Sequence, residues 1–197
     1  MGVVIVTLDE MLQQCATDLD ETLTKSANGT YEGEALALAQ KIMAGINYAY
    51  HKIAREKHVL TRREAITLDE RRSFDFAAFP DLIKLFNVYD KHGFPVYWII
   101  RNQTIGYFPD SCAGDELTAE ISYLPPRLTL DDLNASPLFP ETRVDHMVLC
   151  YYADFYVLSL EPDNETREKA ATFLGLFNDG YANIRQDISE IMTFRVE

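Results

Sequence analysis

Cysteine is scarce in this chain of 197 residues, with only Cys15, Cys112 and Cys150, in no CxxC or metal-ligand spacing. An odd, scattered count predicts reduced thiols rather than a disulfide framework. The four histidines, His51, His58, His92 and His146, fall in separate stretches and form no HExxH or other metal spacing. Walker, GxGxxG and GxSxG signatures are absent too. These gaps predict no resident cofactor, no metal site and no catalytic constellation. No apolar run reaches membrane-spanning length, because Asp154 interrupts the best one, and the opening GVVIV is too short for a signal-peptide core. Basic residues are also in deficit, with 18 Lys and Arg against 31 Asp and Glu for a net charge of −13. That balance disfavours tight, sequence-independent DNA binding, which needs an excess of Lys and Arg.

What is present suits a globular protein. The apolar fraction is 47% and the charged fraction 25%, both ordinary for a packed domain. A chain of this length buries roughly 70% of its unfolded surface without a disulfide or metal staple. We therefore expect a single domain over residues 1–197. Charge is unevenly spread. From Pro109 to Glu165 there are twelve acidic residues against Arg127 and Arg143, a local balance of −10. From His51 to Arg72 there are seven basic against four acidic, a local balance of +3. Such runs are usually solvated faces. They also suit complementary faces of neighbouring subunits.

Hydrophobic periodicity organises the rest. Thr7-Leu-Asp-Glu10 is a capping box, and Leu8, Met11, Leu12, Cys15, Ala16, Leu19 and Leu23 follow at helical spacing, predicting a helix to about Lys25. Gly29 is expected to stop it in a left-handed conformation. A second helix is predicted from Glu32 to Lys57 along Leu36, Ala39, Ile42, Met43, Ile46, Ala49, Tyr50 and Ile53. Gly45 in its interior costs up to about 1 kcal/mol relative to Ala and so points to a close helix–helix approach.

Residues 58–124 change character. Phe74, Phe76 and Phe79 near Pro80 read as a loop-anchoring cluster. Residues 83–90, 94–100, 104–108 and 116–124 read as short strands separated by turn material. The expectation is an antiparallel β-meander inserted between two helical hairpins. An acidic loop follows over residues 125–140. Pro140 fits the first position of a third helix, and from Val144 to Leu160 that helix is so apolar that it needs partners on more than one side. Asp154 is then expected at a partner contact or a wet edge. A fourth helix carries a heptad seam through Ala170, Leu174, Phe177, Tyr181, Ile184, Ile188 and Ile191, with the third helix as its nearest partner. The fold class is thus α+β, a four-helix bundle of two hairpins (7–57 and 141–192) with a β-rich insert (58–124) and a short tail (193–197).

Several motifs then align with one family. Gly93-Phe-Pro-Val-Tyr-Trp98 and Thr104-Ile-Gly-Tyr-Phe-Pro109 are similar to a G-x-P-x-x-Y strand followed by an I-x-x-x-P strand. Glu120-Ile-Ser-Tyr123 and Pro125-Pro-Arg-Leu-Thr129 are similar to a strand leading into P-x-x-L-T. Asp131-Asp132, then Leu138-Phe-Pro-Glu141, fit an acidic loop and an L-P-E helix start, with His146, Tyr151, Tyr152 and Ala153 in the helix that follows. Over about residues 7–190 the chain resembles the bacteriophage head-to-tail adaptor (connector) proteins. These motifs are structural punctuation, not catalytic signatures.

That resemblance implies a non-enzymatic virion part, located in the neck and in host cytoplasm during assembly. It implies a ring, commonly twelve-fold, that joins the portal protein to the next neck or tail-completion protein. DNA would pass through the channel without tight binding, and no membrane is involved. A negative wall would let DNA slide. The apolar residues Ile191, Met192, Phe194 and Val196 are candidates for portal docking. Arg62, Arg63, Arg71 and Arg72 are the candidate basic interface between subunits. Asp131, Asp132, Glu116 and Glu120 are candidates for the opposing interface or for the channel wall. Two other classes remain: a cellular helical interaction module, and a carboxylate-dependent hydrolase or nuclease. Asp131, Asp132 and Glu141 are the carboxylates a divalent ion would need, but their loop lacks the glycine and alternating oxygen ligands of an EF-hand.

Overall fold

Local chemistry starts the first helix as the sequence predicts. A computed structural model describes residues 6–101, 104–112, 116–140, 142–161 and 163–185. Among them the architecture is α+β, with four α-helices and two three-stranded antiparallel sheets. They fall into two compact units, residues 6–56 with 126–185, and residues 57–125.

In the helical unit, α1 spans Leu8–Asp18. Glu10 N–H donates to Thr7 Oγ1 at 3.2 Å, and Thr7 N–H donates to Glu10 Oε2 at 2.8 Å. Two further N-terminal donors are met by the acidic loop: Leu8 N–H reaches Ala135 O at 2.7 Å and Asp9 N–H reaches Leu133 O at 3.0 Å. The helix stops seven residues short of Lys25. Asp20 adopts φ 60°, and Glu21 N–H and Asp20 N–H turn back to Ala16 O and Thr17 O. This is a left-handed C-terminal motif with Asp in the position usually held by Gly. Gly29 does take a positive φ, but in a tight turn between the bridged residues Lys25 and Tyr31, not at a helix end. That turn is tied to α1 by Lys25 Nζ and Tyr31 Oη, each 2.7 Å from the Asp9 carboxylate.

Helix α2 spans Gly33–Lys57, close to its expected bounds, and buries Ala39, Ile42, Ile46, Ala49, Tyr50 and Ile53. Helix α3 spans Met147–Leu158. It begins well after Pro140, because Arg143 and Val144 N–H close a single turn onto Pro140 O and the chain then breaks. The real start signal is Asp145, whose Oδ1 accepts from Met147 N–H at 2.9 Å. Helix α4 spans Asn164–Asn183, capped by Asp163, whose Oδ1 accepts from Thr166 N–H at 2.8 Å. Ile184 is already extended, at ψ 117°, so the seam leaves the helix there; Ile188 and Ile191 lie outside the described residues. As expected, α4 packs on α3: Phe177 meets Tyr152 edge-on at 4.9 Å.

The β unit holds β1 (Thr61–Ile66), β2 (Ser73–Asp75), β3 (Leu82–Tyr89), β4 (Ile99–Arg101), β5 (Ile105–Tyr107) and β6 (Leu117–Tyr123). The sheet orders are β1-β6-β3 and β2-β5-β4, so the expected meander is replaced by two sheets. The last strand takes the centre of the first sheet because its alternating Leu117, Ala119 and Ile121 are the most completely buried set. The stretch 94–100 forms strand only from Ile99; before it a single bridge joins Pro95 to Tyr89, with Val96 N–H donating to Val88 O at 2.8 Å. Pro95 lacks the N–H a ladder needs, and Asp90 Oδ1 holds the preceding turn by accepting from His92 and Phe94 N–H. The phenylalanine cluster forms as predicted, with Phe74 5.1 Å from Phe76 and 5.5 Å from Phe79.

Candidate interaction surface

One face of α2 is left facing a groove. Asn47, His51 and Arg55 recur at four-residue spacing, with Tyr48 and Lys52 beside them, so all five line the same side of the helix. Across from them runs the segment Arg127–Thr129. Asn47 fixes that segment: its Nδ2 donates to Leu128 O at 2.9 Å and its Oδ1 accepts from Leu128 N–H at 2.9 Å. A buried side-chain amide thus pairs with backbone as a neighbouring strand would. The result is a cavity of about 520 Å³ with Met43, Ala44 and Leu128 among its apolar lining and Lys52, Arg55 and Arg127 as its cations.

Tyr181 of α4 contacts two of the groove's lining residues, Lys52 and Glu56. Lys52 Nζ lies 2.7 Å from Glu56 Oε1 and 5.6 Å from the centre of the Tyr181 ring. Tyr181 donates its hydroxyl to Glu56 Oε2 at 2.5 Å. Burial, reinforced by Glu56, holds that hydroxyl well above the usual tyrosine pKa. Arg55 and Arg127 are exposed, and neither side chain has an ion pair or hydrogen bond among the described residues. Nothing in hydropathy singles out this stripe, since its basic and aromatic residues read as an ordinary solvated helix face. The legible signal was Asn47, a polar residue on the apolar side of a helix.

The candidate basic interface is mostly spoken for within its own unit. Arg62 Nη1 and Nη2 lie 2.5 and 3.0 Å from the two Asp81 oxygens, and its Nε is 2.7 Å from Glu64. Asp81 foremost therefore raises the Arg62 pKa. Arg63 sits directly opposite Glu120 across β1 and β6, 4.0 Å away, with its guanidinium over the Tyr89 ring. Glu120 also accepts from Tyr89 Oη at 2.6 Å. Arg63 and Glu120, assigned from sequence to opposing interfaces, thus meet inside one copy. Arg72 pairs with Asp110. Arg71 is exposed, as is Glu116.

Asp131 and Asp132 are exposed in the loop that follows the groove, where Asp132 accepts from Asn134 N–H at 3.2 Å. Among the described residues no three His, Cys, Asp or Glu side chains converge as a metal site would require. Glu141, and the docking candidates Ile191, Met192, Phe194 and Val196, lie outside the described residues.

Asp154 lies at a contact between helices, against Cys15 of α1, which is one of the two places expected for it; it is not at a wet edge. It is 0% exposed, and neither carboxyl oxygen meets a hydrogen-bond donor among the described residues. Burial pushes its pKa up to about 7; the Cys15 thiol pulls it down, and Asp18 pushes it further up. Cys15 is itself buried and donates to Cys150 O at 3.8 Å; the neighbouring Cys150 thiol, then burial, raise its pKa. A neutral carboxyl in the helical core is what this environment selects. No protein-family model matches the chain, and no curated protein matches it either.

Proposed function

We propose that the protein is a structural component of a tailed-phage neck, a ring of identical copies between the portal protein and the next neck or tail-completion protein. The observation that carries this reading is the order of the two units along the chain. Helices from both ends of the sequence build one unit, α1 and α2 before the insert and α3 and α4 after it, and a β-rich unit occupies the middle. That is the arrangement the sequence resemblance implies, a bundle of two helical hairpins with an inserted β region. The motif residues also fall at element boundaries: Gly93 takes a positive φ in the turn after β3, and Pro125 follows β6.

In this reading the protein performs no chemistry. Its work is to present surfaces: one to the next copy, one to the portal, one to the tail side. Residues 191–197 supply apolar side chains to the portal, and the acidic excess lines or flanks a channel through which DNA passes without being held. The test is to mix the protein with the portal of the same virion and examine the product by native mass spectrometry and electron microscopy. A ring of copies seated on the portal is the expected product. A stable dimer with no affinity for portal would instead favour a cellular interaction module.

A further inference from the structure

The groove on α2 has cations but too few acids to match them. Lys52 is balanced by Glu56, whereas Arg55 and Arg127 have no carboxylate partner among the described residues. In a chain of net charge −13 such a patch is the exception. The arginines of the β unit do not resemble it, because Arg62, Arg63 and Arg72 each already face a carboxylate.

A matching acidic surface lies at the other end of α4. Glu165 and Glu168 are exposed three residues apart within α4, which brings them to one side of the helix start, and Glu161 is exposed just before the helix. None of the three forms an ion pair among the described residues, while their neighbours are committed: Lys169 pairs with Asp20 and Asp163 caps the helix. The same copy cannot bring these acids to the groove. Tyr181, which packs on Lys52 and Glu56, stands sixteen residues beyond Glu165 on α4, and at 1.5 Å per residue that is about 24 Å. The groove and the acidic end therefore belong to different ends of one rigid helix. Two unlike, complementary faces on one copy are what head-to-tail association requires.

We infer that the α2 groove seats the acidic start of α4 from a second copy, with Glu165 and Glu168 meeting Arg55 and Arg127. The inference deepens the ring reading and rests on it for the identity of the occupant. It also moves the ionic contact between copies away from Arg62, Arg63 and Arg72.

Charge reversal tests it. One variant carries Arg55→Glu with Arg127→Glu, the other Glu165→Lys with Glu168→Lys, and circular dichroism checks that both fold. All four positions are exposed. Sedimentation of concentrated wild-type protein should show association in low salt and dissociation in high salt. Each variant alone should associate about tenfold or more weakly. An equal mixture should recover wild-type association, because each reversed face then meets its complement and each unchanged face does too. Wild-type protein that stays monomeric in low salt, variants that associate as wild type does, or a mixture that fails to recover would each overturn the pairing. The ring reading is scored separately on the portal. Rings that still form from either variant defeat the pairing alone, whereas recovered pairing without any ring defeats the ring reading alone.

Discussion

Gly45 and Ala153 touch where α2 crosses α3: a Cβ placed on Gly45 would stand 2.6 Å from Ala153 Cα and 3.1 Å from its Cβ. The nearest obstacle is backbone, so the two helices can meet this closely only if one of them lacks a side chain. Ala153 is fully buried, and Tyr48 stacks on Tyr152 at 4.9 Å beside the crossing. The helical cost of glycine here is offset by the packing it permits.

Gly45→Ala should therefore destabilise the helical unit by about 1–3 kcal/mol, the usual cost of overpacking, despite Ala's better helix propensity. Gly175 is the control, an α4 glycine whose Cβ would meet nothing within 4 Å. Gly175→Ala should stabilise by about 0.5–1 kcal/mol. Urea titrations of the two variants should move in opposite directions.

Asp154 predicts an unusual pH profile. Its folded pKa of about 7 lies above the ordinary 3.8, so between those values the folded state holds a proton that the unfolded state has released. The Asp154 contribution to stability should therefore be most favourable below about pH 4, fall as pH rises toward 7, and level off above it, while Asp9, Asp69 and Asp163, whose pKa values are lowered, act in the opposite sense as pH falls. The fall is bounded by about 4 kcal/mol at 1.36 kcal/mol per pKa unit. Thermal melts across pH should show this slope in the difference between the wild type and Asp154→Asn, and equal profiles of the two would overturn it.

Asn47→Ala removes both hydrogen bonds to Leu128 and leaves that residue's buried N–H and C=O unpaired. A loss of about 2–4 kcal/mol is expected. Hydrogen exchange at the Leu128 amide should accelerate far more than exchange at buried α2 amides distant from the groove. Equal acceleration throughout would mean that Asn47 acts through the whole unit and not by pinning this segment.

Truncation after Glu190 addresses portal docking. Thermal stability of the isolated protein should be unchanged while portal binding is lost. Lost stability would mean that the removed residues serve the protein's own fold.

Arg71→Glu and Arg62→Glu should differ in kind. Arg71 is exposed, so its reversal should leave the urea midpoint within experimental error. Reversing Arg62 places a third carboxylate beside Asp81 and Glu64, and should destabilise the β unit by about 1–3 kcal/mol. Equal midpoints would show that the Arg62 cluster contributes nothing measurable.

What the sequence determined by itself was local. The Thr7–Glu10 box, the α2 stripe and the strands β3, β5 and β6 rest on neighbours within one turn or one alternation, and periodicity reports those directly. Gly45 was legible too, because an internal helix glycine carries a cost that packing must offset. What tertiary structure decided were the competitions between local signals. Apolar spacing ran on through Leu19 and Leu23, yet α1 ends when Asp20 turns left-handed and the chain reverses into the Lys25–Tyr31 bridge. Pro140 offered one helix start, but Asp145 had the better-placed acceptor. Strand order was not local at all: β6 lies between β1 and β3 because burial favours its alternating face at the centre. Charge behaved likewise. A run of arginines says nothing about which carboxylates fold against it, so Arg63 found Glu120 across a sheet, Asp154 was enclosed by the helices around it, and Arg55 and Arg127 were left facing an open groove.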